Sequence, residues 1–403
     1  MTESQTTGEG QLPHAAVELA RAAMPRRNNR HAAAKITERG VHLVDSTAGL
    51  TIADLTAIQK YQESAEAEST KRGFETDWAA FIVWCAQRKK DPLPAEPLAV
   101  AAFITWTANV VDEHGEPFYA PGTISRRLTS INKAHVLAGH PKPGDHPDVA
   151  RTIAGVRRVR ARRTHRKEPL LVDDLKNTVS LIDQTSWPAG VIGHRDVAIL
   201  TIGLAGAFRR SELAAIKLGD VRRHREDGLH IAVLKSKTDQ EGRGQIKAIP
   251  FGENHRTCPP CAFARWVRLL AADESGRSML MRAVRASPIH EHVCREPLPE
   301  LAELPANAPL FRPVTKTAKI IDRHLNGQTV NDMLKRRVEA AGYNAADFGG
   351  HSLRAGFVTQ AFRNGATHHE IMRQTWHKEF SSVDIYAREQ DPLRGNAVNR
   401  LKL

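Results

Sequence analysis

Residues 349–357 read "GGHSLRAGF". A glycine pair followed by apolar residues at helical spacing predicts a helix start. His351 and Arg354, three apart, then stand on one face and can touch one object together. Three more stretches carry similar chemistry. "AGAFRRSELAAIKLGDV" puts Arg209 at the abrupt end of a buried apolar helix, with Glu212 three residues on. "KSKTDQEG" sets Lys235 and Lys237 at a hairpin tip. "TWHKEFSSVDIYAREQ" carries His377 and, nine residues later, Tyr386, one of only four tyrosines. Singly, each has a plain reading as an ion pair, a solubilising tip or a ring on a core edge. Their occurrence together is harder to dismiss.

The chain around them is 403 residues long, which favours two domains plus tails. Its 58 Lys and Arg against 45 Asp and Glu leave +13, with a pI near 9.8, so a polyanionic partner is favoured. A membrane is the weaker choice: the longest apolar run, "VAILTIGLAGAF", falls well short of the roughly 20 residues that span a bilayer. "MTESQTTGEGQLPH" has no charged region leading into an apolar one, and four scattered cysteines suit a reducing compartment. The expectation is a cytoplasmic, nucleoid-associated protein with no membrane partner.

Periodicity predicts a mainly α chain with one small antiparallel β-sheet. Residues 1–58 read as a flexible basic arm, and "PRRNNRHAAAK" within it as non-specific phosphate attraction. Residues 59–160 read as a helical bundle, with Phe74, Trp78, Phe81, Ile82, Cys85, Leu98, Phe103 and Ile104 as core positions. Pro147 suits a first helical position and Gly139 a helix end. Residues 161–169 form a basic linker, and 170–403 a second domain. There "GLHIAVLKSKTDQEGRGQIKAIPF" reads as two strands joined by a polar turn, with helices before and after. The run Arg157, Arg158, Arg160, Arg162, Arg163, Arg166 and Lys167 lies at the domain boundary. There it is expected to follow phosphates; Arg126, Arg127 and Lys235 are further candidates for DNA binding.

Two kinase-like strings, "HRD" at 194–196 and "DFG" at 347–349, lack the glycine-rich loop and the metal-holding asparagine of a kinase and are read as chance. "CPPC" at 258–261, with His290, His292 and Cys294 beyond, supplies half a zinc shell, but "HEHVC" lacks the usual spacing of a second half. The thiols read as partly buried bystanders, and no metal or other cofactor is expected.

The order of Arg209 in "FRRSEL", Lys237 in a hairpin, "HSLR", then "WH" nine residues before Tyr386 resembles the tyrosine recombinase (phage integrase) family. Upstream, "LPAEPLAV" and "TISRRLTSINKAHVLAGHPKP" are similar to the helical, SAM-like core-binding domain of the Cre-like branch. The resemblance covers roughly 60–403. It implies a site-specific recombinase whose core-binding and catalytic domains clamp double-stranded DNA at an inverted-repeat site. Arg209 and Arg354 would hold the phosphate oxygens, Tyr386 would be the nucleophile and His351 its base. Lys237 would protonate the leaving 5′ oxygen, His377 would donate to the phosphate and Glu212 would orient these groups. In Cre-like members tryptophan often stands at the His377 position, and Trp376 is adjacent here. The resemblance also implies a homotetramer on two sites, with "DPLRGNAVNRLKL" as a helix docking on a neighbour; accessory proteins are left open. A type IB topoisomerase or a catalytically silent architectural DNA-binding protein are the alternatives.

Overall fold

The computed structural model describes residues 35–37, 40–42, 51–64, 66–160, 166–233, 244–377, 379–384 and 397–401. The chain divides into two compact units, Met1–Thr164 and His165–Leu403.

The first unit opens with two three-residue strands, β1 (Lys35–Thr37) and β2 (Gly40–His42), paired antiparallel within the stretch expected to be a plain arm. Five helices follow: α1 (Ile52–Ser64), α2 (Glu68–Gln87), α3 (Pro97–Asn109), α4 (Pro121–Leu137) and α5 (Pro147–Val159). Proline occupies the first position of α3, α4 and α5, where its missing N–H costs nothing. Trp78, Phe81, Trp84 and Phe103 form an aromatic core, with Phe81 and Phe103 edge to face at 5.1 Å. His135 is buried there as a fully used core residue. Its Nε2 accepts from the Ala95 amide at 2.9 Å and its Nδ1 donates to the Ile131 carbonyl at 2.8 Å.

Leu98 is not in this core; it is 72% exposed. Helix α3 buries Ala99, Val100, Phe103, Ile104, Thr107 and Ala108, whereas Leu98 shares its other face with the exposed Ala102, Thr105 and Asn109.

The second unit contains α6 (Val172–Ser180), α7 (Ala189–Ala205) and α8 (Arg210–Ala215). A three-stranded antiparallel sheet then runs in the order β3 (Val221–His224), β4 (Gly228–Val233), β5 (Gln245–Ile249). The expected hairpin is β4 and β5, with Ile231 opposite Lys247; β3 is an additional strand. Helices α9 (Pro259–Glu274), α10 (Arg277–Arg285), α11 (Glu300–Glu303), α12 (Gly327–Ala340), α13 (Ser352–Arg363) and α14 (His368–Thr375) complete the unit. Helix α7 is mostly apolar and buried along nearly its whole length, and it packs on α9 and α13. Its "HRD" string is structural: buried Asp196 pairs with Arg195 at 2.6 Å and Arg337 at 2.8 Å. Of the expected C-terminal helix, the described part is a single 3₁₀ turn, Ala397–Arg400. No helix among the described residues is long and apolar enough to cross a membrane.

One glycine places α13. The segment 166–170 crosses this helix, with the Leu170 amide donating to the Ser352 carbonyl at 3.0 Å. A Cβ on Gly356 would lie 1.9 Å from the Leu170 carbonyl oxygen, so only glycine admits the crossing.

Candidate active site

Four chain segments of the second unit deliver cations to one place. Helix α7 ends at Gly206 and turns through Ala207, at φ 48°, to bring Arg209 to the N-cap of α8. Glu212, buried in the first turn of α8, accepts from Arg209 twice: from its amide at 3.0 Å and its guanidinium at 2.6 Å. The carboxylate thereby caps its own helix and fixes the arginine.

The second segment is "GGHSLRAGF". His351 is the N-cap of α13, and its ring reaches the surface. Arg354, one turn in, is 1% exposed. Its guanidinium donates to the Ala207 carbonyl at 2.8 Å, to the Thr375 carbonyl, and to His377 Nε2 at 3.1 Å. These contacts tie α13 to the end of α7 and to the turn after α14.

That turn is the third segment. Trp376 takes a left-handed conformation (φ 56°, ψ 40°) that ends α14 and reverses the chain into His377. Because His377 Nε2 accepts from Arg354, the ring proton sits on Nδ1 and donates to Thr375 Oγ1 at 2.8 Å; that hydroxyl donates to the Ile371 carbonyl. Gln374 donates to the carbonyls of Ala205 and Ala248, both at 3.1 Å, and so pins the turn to α7 and β5. His377 and Trp376 both face the cluster, but on different partners.

The fourth segment brings a residue that the sequence reading missed. Lys247, on β5, is fully buried. Its ammonium donates to the Gln374 carbonyl and stands 4.0 Å from the Trp376 ring centroid and 5.1 Å from that of Phe208. Burial, then Arg354 and Arg209, push its pKa down to about 7 against the opposing pull of Glu212. The signal was the two-residue strand period: Ile249 points inward, so Lys247 does too, and Ile246 is 65% exposed. Without the register, "QIKAI" does not say which face is inner.

The electrostatics are those of crowded cations. His377 is pushed down to about 3 by burial first, then by Arg354, Arg209, His351 and Lys247. His351 is lowered by the protein packed around it, then by Arg354, Arg209 and Arg166. Both imidazoles are neutral near pH 7, and the carboxylate among these neighbours is that of Glu212. The charge of a bound anion would relieve every one of these repulsions.

Lys235, Lys237 and Tyr386 lie outside the described residues, as do Arg162 and Arg163. The remaining basic candidates divide. Arg157 and Arg158 are exposed on α5, and Arg157 Nε donates to Ser125 Oγ at 3.1 Å. Arg160 donates to Asn109 at 3.2 Å. Arg166 is exposed near His351, and Lys167 is engaged with the Ala346 carbonyl. Arg126 pairs with buried Asp77 at 2.9 Å, and Arg127 lies 4.1 Å over the Tyr119 ring with little exposure. These two are used inside the first unit.

Three of the cysteines come together in space. Cys258, Cys261 and Cys294 are all buried and converge with His292. Spacing along the chain does not reveal this convergence, because folding joins the two halves.

A cationic cluster of this kind is suited to an anion such as a phosphate ester. Comparison with known proteins sharpens this reading. A model of the phage integrase family matches residues 314–392, the stretch holding His351, Arg354, His377 and Tyr386. An integrase/recombinase XerD homolog of Selenomonas ruminantium is 29% identical over 342 residues, 84% of this chain and 87% of that protein. The recombinase Cre of Escherichia phage P1 is 22% identical over 330 residues, 81% of this chain and 84% of that protein. Among solved structures, XerH site-specific recombinase bound to a palindromic difH substrate shares the fold. Its TM-score is 0.51 at 12% identity, over 89% of this chain and 87% of that one. Residues 314–392 thus match the phage integrase family, and over most of its length the chain is similar to site-specific recombinases.

Proposed function

We propose that this cluster holds the scissile phosphate of a double-stranded DNA site and that Tyr386 attacks it to exchange strands. The observation that carries the reading is the convergence of Arg209, Lys247, His351, Arg354 and His377 around one place, with Glu212 as counterion. A phosphodiester carries one negative charge, and attack by an oxygen builds more on its non-bridging oxygens. Guanidiniums meet these with forked hydrogen bonds and stay charged at any working pH.

In this scheme the phenol oxygen of Tyr386 bonds to phosphorus, its proton passes to neutral His351, and the bond to the 5′ oxygen breaks. The leaving oxygen takes a proton from Lys237, and the 3′ phosphate remains on the tyrosine. The 5′ hydroxyl of another strand then attacks the phosphotyrosine and reverses each proton transfer. One phosphoester is exchanged for another, so strand exchange needs no ATP. No cofactor enters: the positive charge comes from side chains. A phosphate beside Arg354 raises the pKa of His377, and the protonated ring can then donate through Nε2. Four protomers on two inverted-repeat sites would complete the exchange, and the segment 392–403 would link neighbours.

The test is to incubate the protein with fragmented DNA from its source, denature with detergent and sequence what stays covalently attached. Adducts through a 3′ phosphate, present in the wild type and absent from Tyr386→Phe, are expected. Adducts that persist in the variant would remove Tyr386 from the scheme. A substrate with sulfur in place of the bridging 5′ oxygen needs no acid. It should therefore restore cleavage by Lys237→Ala; restoration only of Lys247→Met would move the acid to Lys247.

A further inference from the structure

Beyond β5 the chain turns through Gly252 to Cys258, the N-cap of α9, and Cys261 lies in the first turn of that helix. A separate loop after α10 carries His292 and Cys294. The four donor atoms all lie within 4.8 Å of one another. Cys261 Sγ is 3.3 Å and Cys294 Sγ 3.8 Å from His292 Nδ1. With zinc–thiolate bonds of about 2.3 Å, the edges of a tetrahedral shell are about 3.8 Å long. The donors already stand near that spacing.

We propose that Cys258, Cys261, His292 and Cys294 form a closed tetrahedral zinc site. Three independent features of the surroundings support it. First, His292 Nε2 donates to the Glu253 carbonyl at 3.0 Å, which leaves the Nδ1 lone pair facing the three sulfurs. A histidine held through its far nitrogen by a carbonyl is how proteins orient a metal ligand. Second, the Gly252 amide donates to Cys258 Sγ at 3.3 Å, a bond suited to a thiolate. A Cβ on Gly252 would come within 2.9 Å of Cys258 Cα, so this close approach requires glycine.

Third, Arg265, 1% exposed and one turn beyond Cys261, donates to the carbonyls of His255, Pro288 and Glu291 at 3.1, 3.0 and 2.7 Å. It thus clamps together the two loops that bear the ligands. Among the described residues no carboxylate pairs with it, and its electrostatic neighbours include the three cysteines, Arg268, His194, His255 and His292. A buried guanidinium without a counterion is costly. Zinc with three thiolates and one neutral imidazole carries a net charge of −1 and would supply that counterion. The fourth cysteine, Cys85, sits in the apolar core of the first unit.

Four protein ligands leave no open position, so the ion's role is structural. It would pin the Gly252–Cys258 turn that follows directly from the strand carrying Lys247, and hold it to the loop at 292–294.

The test uses the full chain purified with a phosphine reductant and without chelator. Elemental analysis is expected to find one zinc per chain. Exchange for cobalt should give the visible bands of a tetrahedral ion and thiolate-to-cobalt charge transfer. Cys294→Ser should lose the ion or weaken its retention at least tenfold, with a lower melting temperature, and Cys85→Ser should keep the full complement. Should Cys294→Ser fail to fold, competition of the wild type with a chromophoric chelator still reads the affinity. Metal-free wild type that melts identically with and without added zinc would overturn the proposal. So would octahedral cobalt bands, equal retention by Cys294→Ser, or a Cys258–Cys261 disulfide in the fresh protein.

Discussion

Lys247→Met should stabilise the protein while impairing strand cleavage, and the gain should depend on pH. The lysine is fully buried, and its pKa falls from 10.5 to about 7. At about 1.4 kcal/mol per tenfold, the charged form is penalised by roughly 5 kcal/mol relative to water. Between about pH 7 and 10.5 the unfolded chain holds this proton more often than the native one. Wild-type stability therefore rises with pH across that window, by up to about 1.4 kcal/mol per unit; below pH 7 the penalty is constant. Methionine matches the shape of the aliphatic stem and carries no charge. It forfeits the bond to the Gln374 carbonyl and the contact with Trp376, about 1 kcal/mol each. The net gain at pH 6 should be roughly 2–3 kcal/mol, and the difference between variant and wild type should shrink by roughly 2.5 kcal/mol by pH 9. Urea unfolding of both proteins at several pH values, followed in the second unit through Trp266, measures this directly. A difference that stays constant from pH 6 to 9 would refute the reasoning, because it would mean that Lys247 keeps an ordinary pKa.

Two other substitutions test the frame around the cluster. Arg354→Lys cannot reach the Ala207 and Thr375 carbonyls and His377 together, so single-turnover cleavage should fall by about 10²–10³-fold with DNA binding largely retained; a loss below tenfold would argue against a forked contact. Gly356→Ala puts a methyl group 1.9 Å from the Leu170 carbonyl and should cost about 3 kcal/mol, seen as a lower melting temperature; an unchanged melt would show that the 166–170 segment moves aside freely.

The cluster holds its cations under electrostatic tension. Lysine, guanidinium and imidazole groups are crowded together in a site fastened by main-chain carbonyls and one carboxylate. Under the proposed function, stability given up in the free protein would become affinity for the phosphate. This accounts for two histidines and a lysine all held below their ordinary pKa values.

Much of this was readable along the chain. Helices with an uninterrupted period, such as α2 and α4, and proline starts such as Pro147 are local signals, set by neighbours three and four residues away. The order of Arg209, "HSLR" and "WH" likewise carried a resemblance that the comparisons also find. Leu98 was misread because proximity to a core stripe is not membership of it. Lys247 and the Cys258, Cys261, His292 and Cys294 set could not be assigned at all from spacing. Lys247 needed the register of β5 against β4 to show its inward face. Cys261 and His292 needed α9 and the loop after α10 to fold back over 31 residues before their atoms met. Residue types and periods are written locally, whereas the meeting of a buried lysine with arginines, or of thiols with an imidazole, is a through-space event that only packing decides.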